Sequence, residues 1–173
     1  DPDVIALCGY PPTGATAIKQ LRAAGIDVPV VTTSGFDGPY WLDSVPGVKD
    51  VFAVAPASIY GDDPSADVNT LIKDYTAKYG APATSYLAYG DVMANVLETA
   101  LSDTKGDADG AKLAGAMQQF TDSPTLLGPT TYTESCHIAL GRPMRILEYA
   151  NGTGKYVTTV TPKDVPVPAE CAP

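Results

Sequence analysis

Asp3-Val4-Ile5-Ala6-Leu7-Cys8-Gly9-Tyr10-Pro11-Pro12-Thr13-Gly14 is the stretch that decides the fold. Val4 to Cys8 is an apolar run of strand length, and Gly9 to Thr13 is rich in turn formers. Ala15 to Ala24 places Ile18 and Leu21 three apart, and Gly25 then stops the pattern. The order is strand, turn, helix. Val28 to Thr32 follows as a second apolar run. Parallel neighbours need a crossover, and this helix supplies one, which predicts a βαβ unit. Open α/β sheets take ligands beyond the carboxyl ends of their strands. Tyr10 lies at that end of the first strand and Ser34 to Asp37 at that end of the second.

The remaining 160 or so residues fit this class. The 173-residue chain is 45% hydrophobic and 18% charged, a globular balance rather than a disordered one. No apolar run reaches the roughly eighteen residues of a membrane span. The net charge of −9, with no basic stripe, argues against nucleic acid as a partner. Asp1-Pro2-Asp3 leads straight into a strand with no leader pattern, which predicts a processed chain or a piece of a larger protein.

Further along, Thr33 to Leu42 reads as a loop with a short helix from Pro39. Its aromatics Phe36, Tyr40 and Trp41 form either a ligand wall or a core cap, with Trp41 assigned to the core. Val51 to Val54 is a third strand, and Pro56, Gly61 and Pro64 punctuate a connector. Val68, Leu71, Ile72, Tyr75 and Tyr79 make a helical stripe between a Ser65 cap and a Gly80 stop. A second helix is expected after Pro82, with Gly90 inside it where close packing or a ligand would want the space. A third is expected over Gly110 to Phe120, capped by Asp109. Residues 128–133 are β-prone, and the runs 145–150 and 155–160 flank Asn151-Gly152-Thr153-Gly154 as a hairpin. The proline-bearing tail from Pro162 to Pro173 reads as extended chain.

Tests for reactive chemistry come back empty. His137 is the sole histidine, and its neighbour Cys136 would point to the opposite side of a strand. No set of ligands converges for a metal, and Asp103 to Gly110 fails as a calcium loop at Lys105. Gly9 to Gly14 has the wrong glycine spacing for a dinucleotide fingerprint, and its prolines remove amide donors. No cofactor and no catalytic residue is expected. A binding apparatus is what remains: Tyr10, Pro11 and Thr13 from the first loop, Ser34, Phe36 and Asp37 from the second. Thr13 and Gly14 also open a helix whose start favours negative charge.

Cys8, Cys136 and Cys171 can pair in three ways. Cys8 sits in the apolar run and is expected to be a buried thiol. Cys171 lies in a tail with little else to hold it, so Cys136 to Cys171 is the expected bridge, and three reduced thiols the alternative. Such a bridge would place the chain in an oxidising compartment.

Cys8-Gly9-Tyr10-Pro11-Pro12 followed by Ile18-Lys19-Gln20-Leu21-Arg22-Ala23-Ala24-Gly25-Ile26 resembles the second lobe of type I periplasmic solute-binding proteins, those of ABC importers of the branched-chain amino acid class. Val30 to Phe36, Asp63-Pro64 before the long helix, Tyr75 to Gly80, and Gly128-Pro129 before Tyr132 continue the likeness over nearly the whole chain. The resemblance implies an α/β fold of type I periplasmic-binding-protein kind, an open, largely parallel sheet with flanking helices, and an incomplete two-lobe protein. Residues 1–55 and 128–173 would belong to the second lobe, 65–125 to the first, with 56–64 and 126–128 as hinge crossings.

The same resemblance implies a periplasmic or extracellular location, with a lipid anchor through a missing N-terminus. The implied partners are a small solute, a transporter permease, and either a second copy or a missing N-terminal half over the apolar faces of the middle helices. Tyr10 matches a ligand-contacting tyrosine of that family. Ser34 falls where the amino-acid binders carry a glutamate that pairs with the ligand ammonium. Either Asp37 substitutes, or the ligand is an aromatic acid or amide. The expected function is a non-enzymatic solute receptor. The alternatives are a ligand-sensing domain of the same fold and, third, an α/β enzyme.

Overall fold

In the computed structural model, which describes residues 2–163 and 166–171, the chain forms nine regular elements among the described residues. They are β1 (Ile5–Leu7), α1 (Thr13–Ala23), β2 (Val30–Thr32), β3 (Val51–Ala55), α2 (Ala66–Tyr79), α3 (Leu87–Asp103), α4 (Gly110–Met117), β4 (Met144–Ala150) and β5 (Thr153–Val160). Short 3-10 turns cover Ser34–Phe36, Pro39–Ser44 and Ala169–Cys171. Contacts divide the chain into two units: Asp1–Leu87 with Met144–Val160, and Ala88–Pro143 with Thr161–Pro173.

The first unit is built on one mixed sheet in the order β1-β2-β3-β4-β5. β1, β2 and β3 run parallel, and β4 and β5 join them antiparallel. The expected βαβ unit is present, with α1 as its crossover. Gly25, at φ 74°, ends it in the left-handed region that glycine enters without steric cost. Arg22, in the last turn of α1, donates to the Ile26, Val28 and Lys49 carbonyls at 2.7, 3.0 and 3.2 Å. One guanidinium thus gathers the chain entering β2 and β3. The hairpin turn is shorter than the sequence suggested: Asn151 and Gly152 alone make it, both at positive φ, which suits the right-handed twist of the paired strands.

Alternation along the strands puts Ile5, Leu7, Val30, Thr32, Val51, Ala53, Ala55, Leu147 and Tyr149 on one face. This face packs with Ile18, Phe36, Trp41 and Leu42 into the core. The other face is less covered: Val31 is 36% exposed, and Phe52 and Val54 are half-buried. Cys8 follows the same alternation. It is two residues beyond Ala6 on the open side, past the end of an edge strand, and is exposed rather than buried as expected.

The connector after β3 is pinned rather than loose. Asp63 is buried, and its carboxylate accepts the Ser58 amide at 2.7 Å, the Ser65 amide at 2.9 Å and two hydrogen bonds of 3.1 Å from Arg145 on β4. Ser65 caps α2 by accepting the Val68 amide, and Gly80 closes it, as the sequence predicts.

α3, which enters the second unit at Ala88, begins at Leu87, later than Pro82 suggested, because Thr84 and Ser85 are engaged in side-chain contacts described below. Asp109 caps α4, accepting the Ala111 and Lys112 amides at 3.1 Å. That helix stops at Met117, short of Phe120. A Cβ on Gly90 would meet nothing within 4 Å, so no close packing explains this glycine in the structure. The β-prone run 128–133 forms no strand: Thr130 makes a single bridge to Ser123. Cys136 and Cys171 are bonded, S–S 2.07 Å, as the sequence reading expected. The expected extended tail is in part a 3-10 turn at Ala169–Cys171; Asp164, Val165, Ala172 and Pro173 lie outside the described residues, as does Asp1.

Candidate ligand-binding surface

Parallel pairing brings the two predicted loops together. Leu7 is opposite Thr32, so the chain leaves β1 and β2 at the same end of the sheet. The Thr33 hydroxyl donates to the Gly9 carbonyl at 3.0 Å and clips one loop to the other. The Tyr10 ring then lies directly on Gly35, where any Cβ would collide with it. Tyr10 is 66% exposed, so one side of its ring faces outward.

Ser34, half-buried, stands beside this ring, and its Oγ lies 3.2 Å from the Tyr86 Oη. Tyr86 is 45% exposed and precedes α3. Tyr40 completes the group: its hydroxyl donates to the Gly35 carbonyl. Burial, then the Asp37 charge, then Tyr86 push its phenol above the ordinary value, so it stays a neutral donor. The surface offers rings and hydroxyls from two separate stretches of chain.

Two predicted site residues lie beneath this surface. Phe36 is wholly buried and meets Trp41 edge to face, with centroids 5.1 Å apart. Asp37 is 1% exposed. Its Oδ2 accepts the Thr84 hydroxyl at 3.1 Å, the Ser85 amide at 2.9 Å and the Ser85 hydroxyl. The Thr84 oxygen in turn accepts the Tyr86 amide at 3.0 Å. A Cβ on Gly38 would collide with the Ala83 carbonyl oxygen, so the segment before α3 lies flat on this loop.

Pro11 is half-buried and Thr13 exposed at the start of α1. Pro12 carries no N–H, and the Gly14 amide donates to the Tyr10 carbonyl at 2.9 Å. The helix start therefore offers an anion fewer donors than an ordinary first turn.

Tyr86, Thr84 and Ser85 were not singled out in the sequence as site residues. Hydroxyls just ahead of a helix are a capping signal, and that signal was available. The pairing of Tyr86 with Ser34, 52 positions away, was not. His137 is exposed and pairs with Gln118, their nitrogens 3.2 Å apart. Among the described residues no group of three or more His, Cys, Asp or Glu side chains is placed to hold a metal ion. Among them, too, no helix is long and apolar enough to cross a membrane.

Residues 1–154 match the family model described as periplasmic binding protein. No curated protein matches the chain. Among solved structures, the leucine binding protein LivK from Thermotoga maritima is 21% identical at a TM-score of 0.74, with 95% of this chain and 46% of that one covered. The branched-chain amino acid transporter substrate binding protein LivJ from Streptococcus pneumoniae, solved with isoleucine, is 21% identical at 0.79, covering 94% and 45%. A fatty acid ABC transporter substrate-binding protein from Thermomonospora curvata is 18% identical at 0.75, covering 98% and 46%. At these identities the likeness is one of fold, and this chain spans about half the length of each. With most of its residues under one family model and that family's fold throughout, the chain belongs to the periplasmic binding protein family.

Proposed function

We propose that the chain is part of an extracytoplasmic solute-binding protein of an ABC importer, one that holds a small solute between two lobes and presents the closed form to a permease. The observation that carries this reading is the convergence of Tyr10, Ser34 and Tyr86 beyond the ends of two adjacent parallel strands. Rings and hydroxyls of this kind bind a solute by stacking and a few hydrogen bonds. Closure over it would exclude water and strengthen each bond. The names of the matched proteins support a solute of amino-acid or carboxylic-acid type. The Cys136–Cys171 bond agrees with an oxidising compartment outside the cytoplasm.

The lobe division we propose is that of the resemblance: residues 1–55 and 128–173 on one side, 65–125 on the other, with 56–64 and 126–128 as the crossings. The Asp63–Arg145 pair supports 56–64 as a fixed pivot. Tyr10 and Ser34 then form one wall of the site and Tyr86, within the same contact unit, the wall beside it. The less covered sheet face and the unpaired edge of β1 support association with further chain, since the matched structures are about twice as long.

The test is calorimetry on the full-length protein with leucine, benzoate and octanoate. At least one binds, and Tyr10→Ala and Ser34→Ala each weaken it by about tenfold or more. No binding by any of the three, or binding indifferent to both substitutions, removes the reading.

A further inference from the structure

Asp37 has the chemistry of a ligand group and the surroundings of a fastener. It is 1% exposed, and three donors from Thr84 and Ser85 converge on its Oδ2. Among the described residues no cation pairs with it. Its place is the turn that carries Ser34 and Gly35; the residues it grips are those that carry Tyr86. A carboxylate accepting several hydrogen bonds holds its donors more firmly than a neutral acceptor would. The donors include the Ser85 amide, next to the opening turn of α3, where negative charge is favoured.

Two further contacts make the grip directional. Gly38 lets the Ala83 carbonyl lie flat on the turn. Thr84, held by Asp37, accepts the Tyr86 amide and so fixes where that ring leaves the chain. Resting on the solute-receptor reading above, we propose that Asp37 is a positioning residue: it holds the Tyr86 wall against the Tyr10–Ser34 wall and does not itself touch the solute.

This differs in its consequences from a direct contact. An Asp37 that met a ligand ammonium would discriminate between an amine and its des-amino analogue. An Asp37 that sets the walls affects both alike. The experiment measures leucine and 4-methylpentanoate binding to the full-length protein and to its Asp37→Asn, Asp37→Ala and Thr84→Val forms. Circular dichroism at the assay temperature checks that each is folded. Asp109→Ala, which removes the cap of α4, is the control for a purely destabilising change.

The result expected is a loss of about tenfold or more with Asp37→Ala, a smaller loss with Asp37→Asn and Thr84→Val, and a leucine to 4-methylpentanoate affinity ratio constant within about twofold. The folded control keeps its affinity. A loss confined to leucine overturns the proposal, as does unchanged binding in Asp37→Ala. If neither probe binds the unmodified protein, the receptor reading is what fails for these solutes. The grip is then read without ligand: the Ser85 amide exchanges more slowly with solvent deuterium in the unmodified protein than in Asp37→Ala, and equal rates overturn it.

Discussion

The Asp63 carboxylate and the Arg145 guanidinium, 82 positions apart, meet through two hydrogen bonds of 3.1 Å with almost no exposed surface on either. Breaking a buried pair leaves a charge without a partner, which costs more than the pair contributes while intact. Asp63→Ala therefore lowers unfolding stability by about 3–5 kcal/mol. The double variant Asp63→Leu/Arg145→Met loses less than the single one. Urea unfolding of both variants checks the order.

Gly90 lies within α3 and a Cβ there meets nothing within 4 Å. Gly90→Ala stabilises by about 0.5–1 kcal/mol, chiefly by restricting the unfolded chain. The same measurement on the full-length protein is informative in sign. A destabilised full-length variant would mean that chain beyond these residues packs on Gly90.

Gly38→Ala acts in the opposite direction. The added methyl meets a backbone oxygen, that of Ala83, which has no rotamer to give way. The loss is about 1–3 kcal/mol, as for overpacked cores. Thermal unfolding gives the cost, and binding of the best solute falls with it because the Tyr86 segment is displaced.

Cys136 and Cys171 close a loop with a separation of 35 residues. Replacing both by serine costs about 3–4 kcal/mol in the chain-entropy account. Native protein titrates with one equivalent of a thiol reagent, at exposed Cys8, and reduced, unfolded protein with three. A native titre of zero or three contradicts this pairing.

Tyr40, Tyr60 and Tyr149 hold their phenol protons above the ordinary range. Burial pushes Tyr60 up from 10.0 to about 12, and raises Tyr149 further. Burial is also the main cause at Tyr40, aided by Asp37. A raised phenol binds its proton more tightly folded than unfolded, so the neutral form stabilises the fold below pH 10 and that contribution falls as pH climbs toward about 12. Phenolate absorbance from the buried rings therefore appears only late in this window, and unfolding accompanies its rise.

Much of the fold could be read from local chemistry. Val4 to Gly25 declares strand, turn and helix through composition and spacing alone, and Asn151-Gly152 announces its hairpin. Ser65, Gly80 and Asp109 stop or cap helices where their side chains or φ angles require. The misses share a cause. Cys8 is judged by residue type, whereas its exposure depends on strand order and on what covers each face. The run 128–133 has β propensity but pairs with no strand. For the proposed site, the loops and Tyr10 are legible in the sequence, because the ends of adjacent parallel strands coincide. Tyr86 is not, since only tertiary contact through Asp37 brings it there.

Trp41 is the chain's single tryptophan. Its indole N–H donates to the Phe36 carbonyl at 3.2 Å, and its ring is wedged between Phe36 and Tyr149. The indole is thus wired to the same short turn that bears Ser34, yet stays out of reach of water. Its burial predicts a blue-shifted emission from this indole, and a change in intensity whenever that turn moves. Candidate solutes can be ranked by fluorescence, with no label attached.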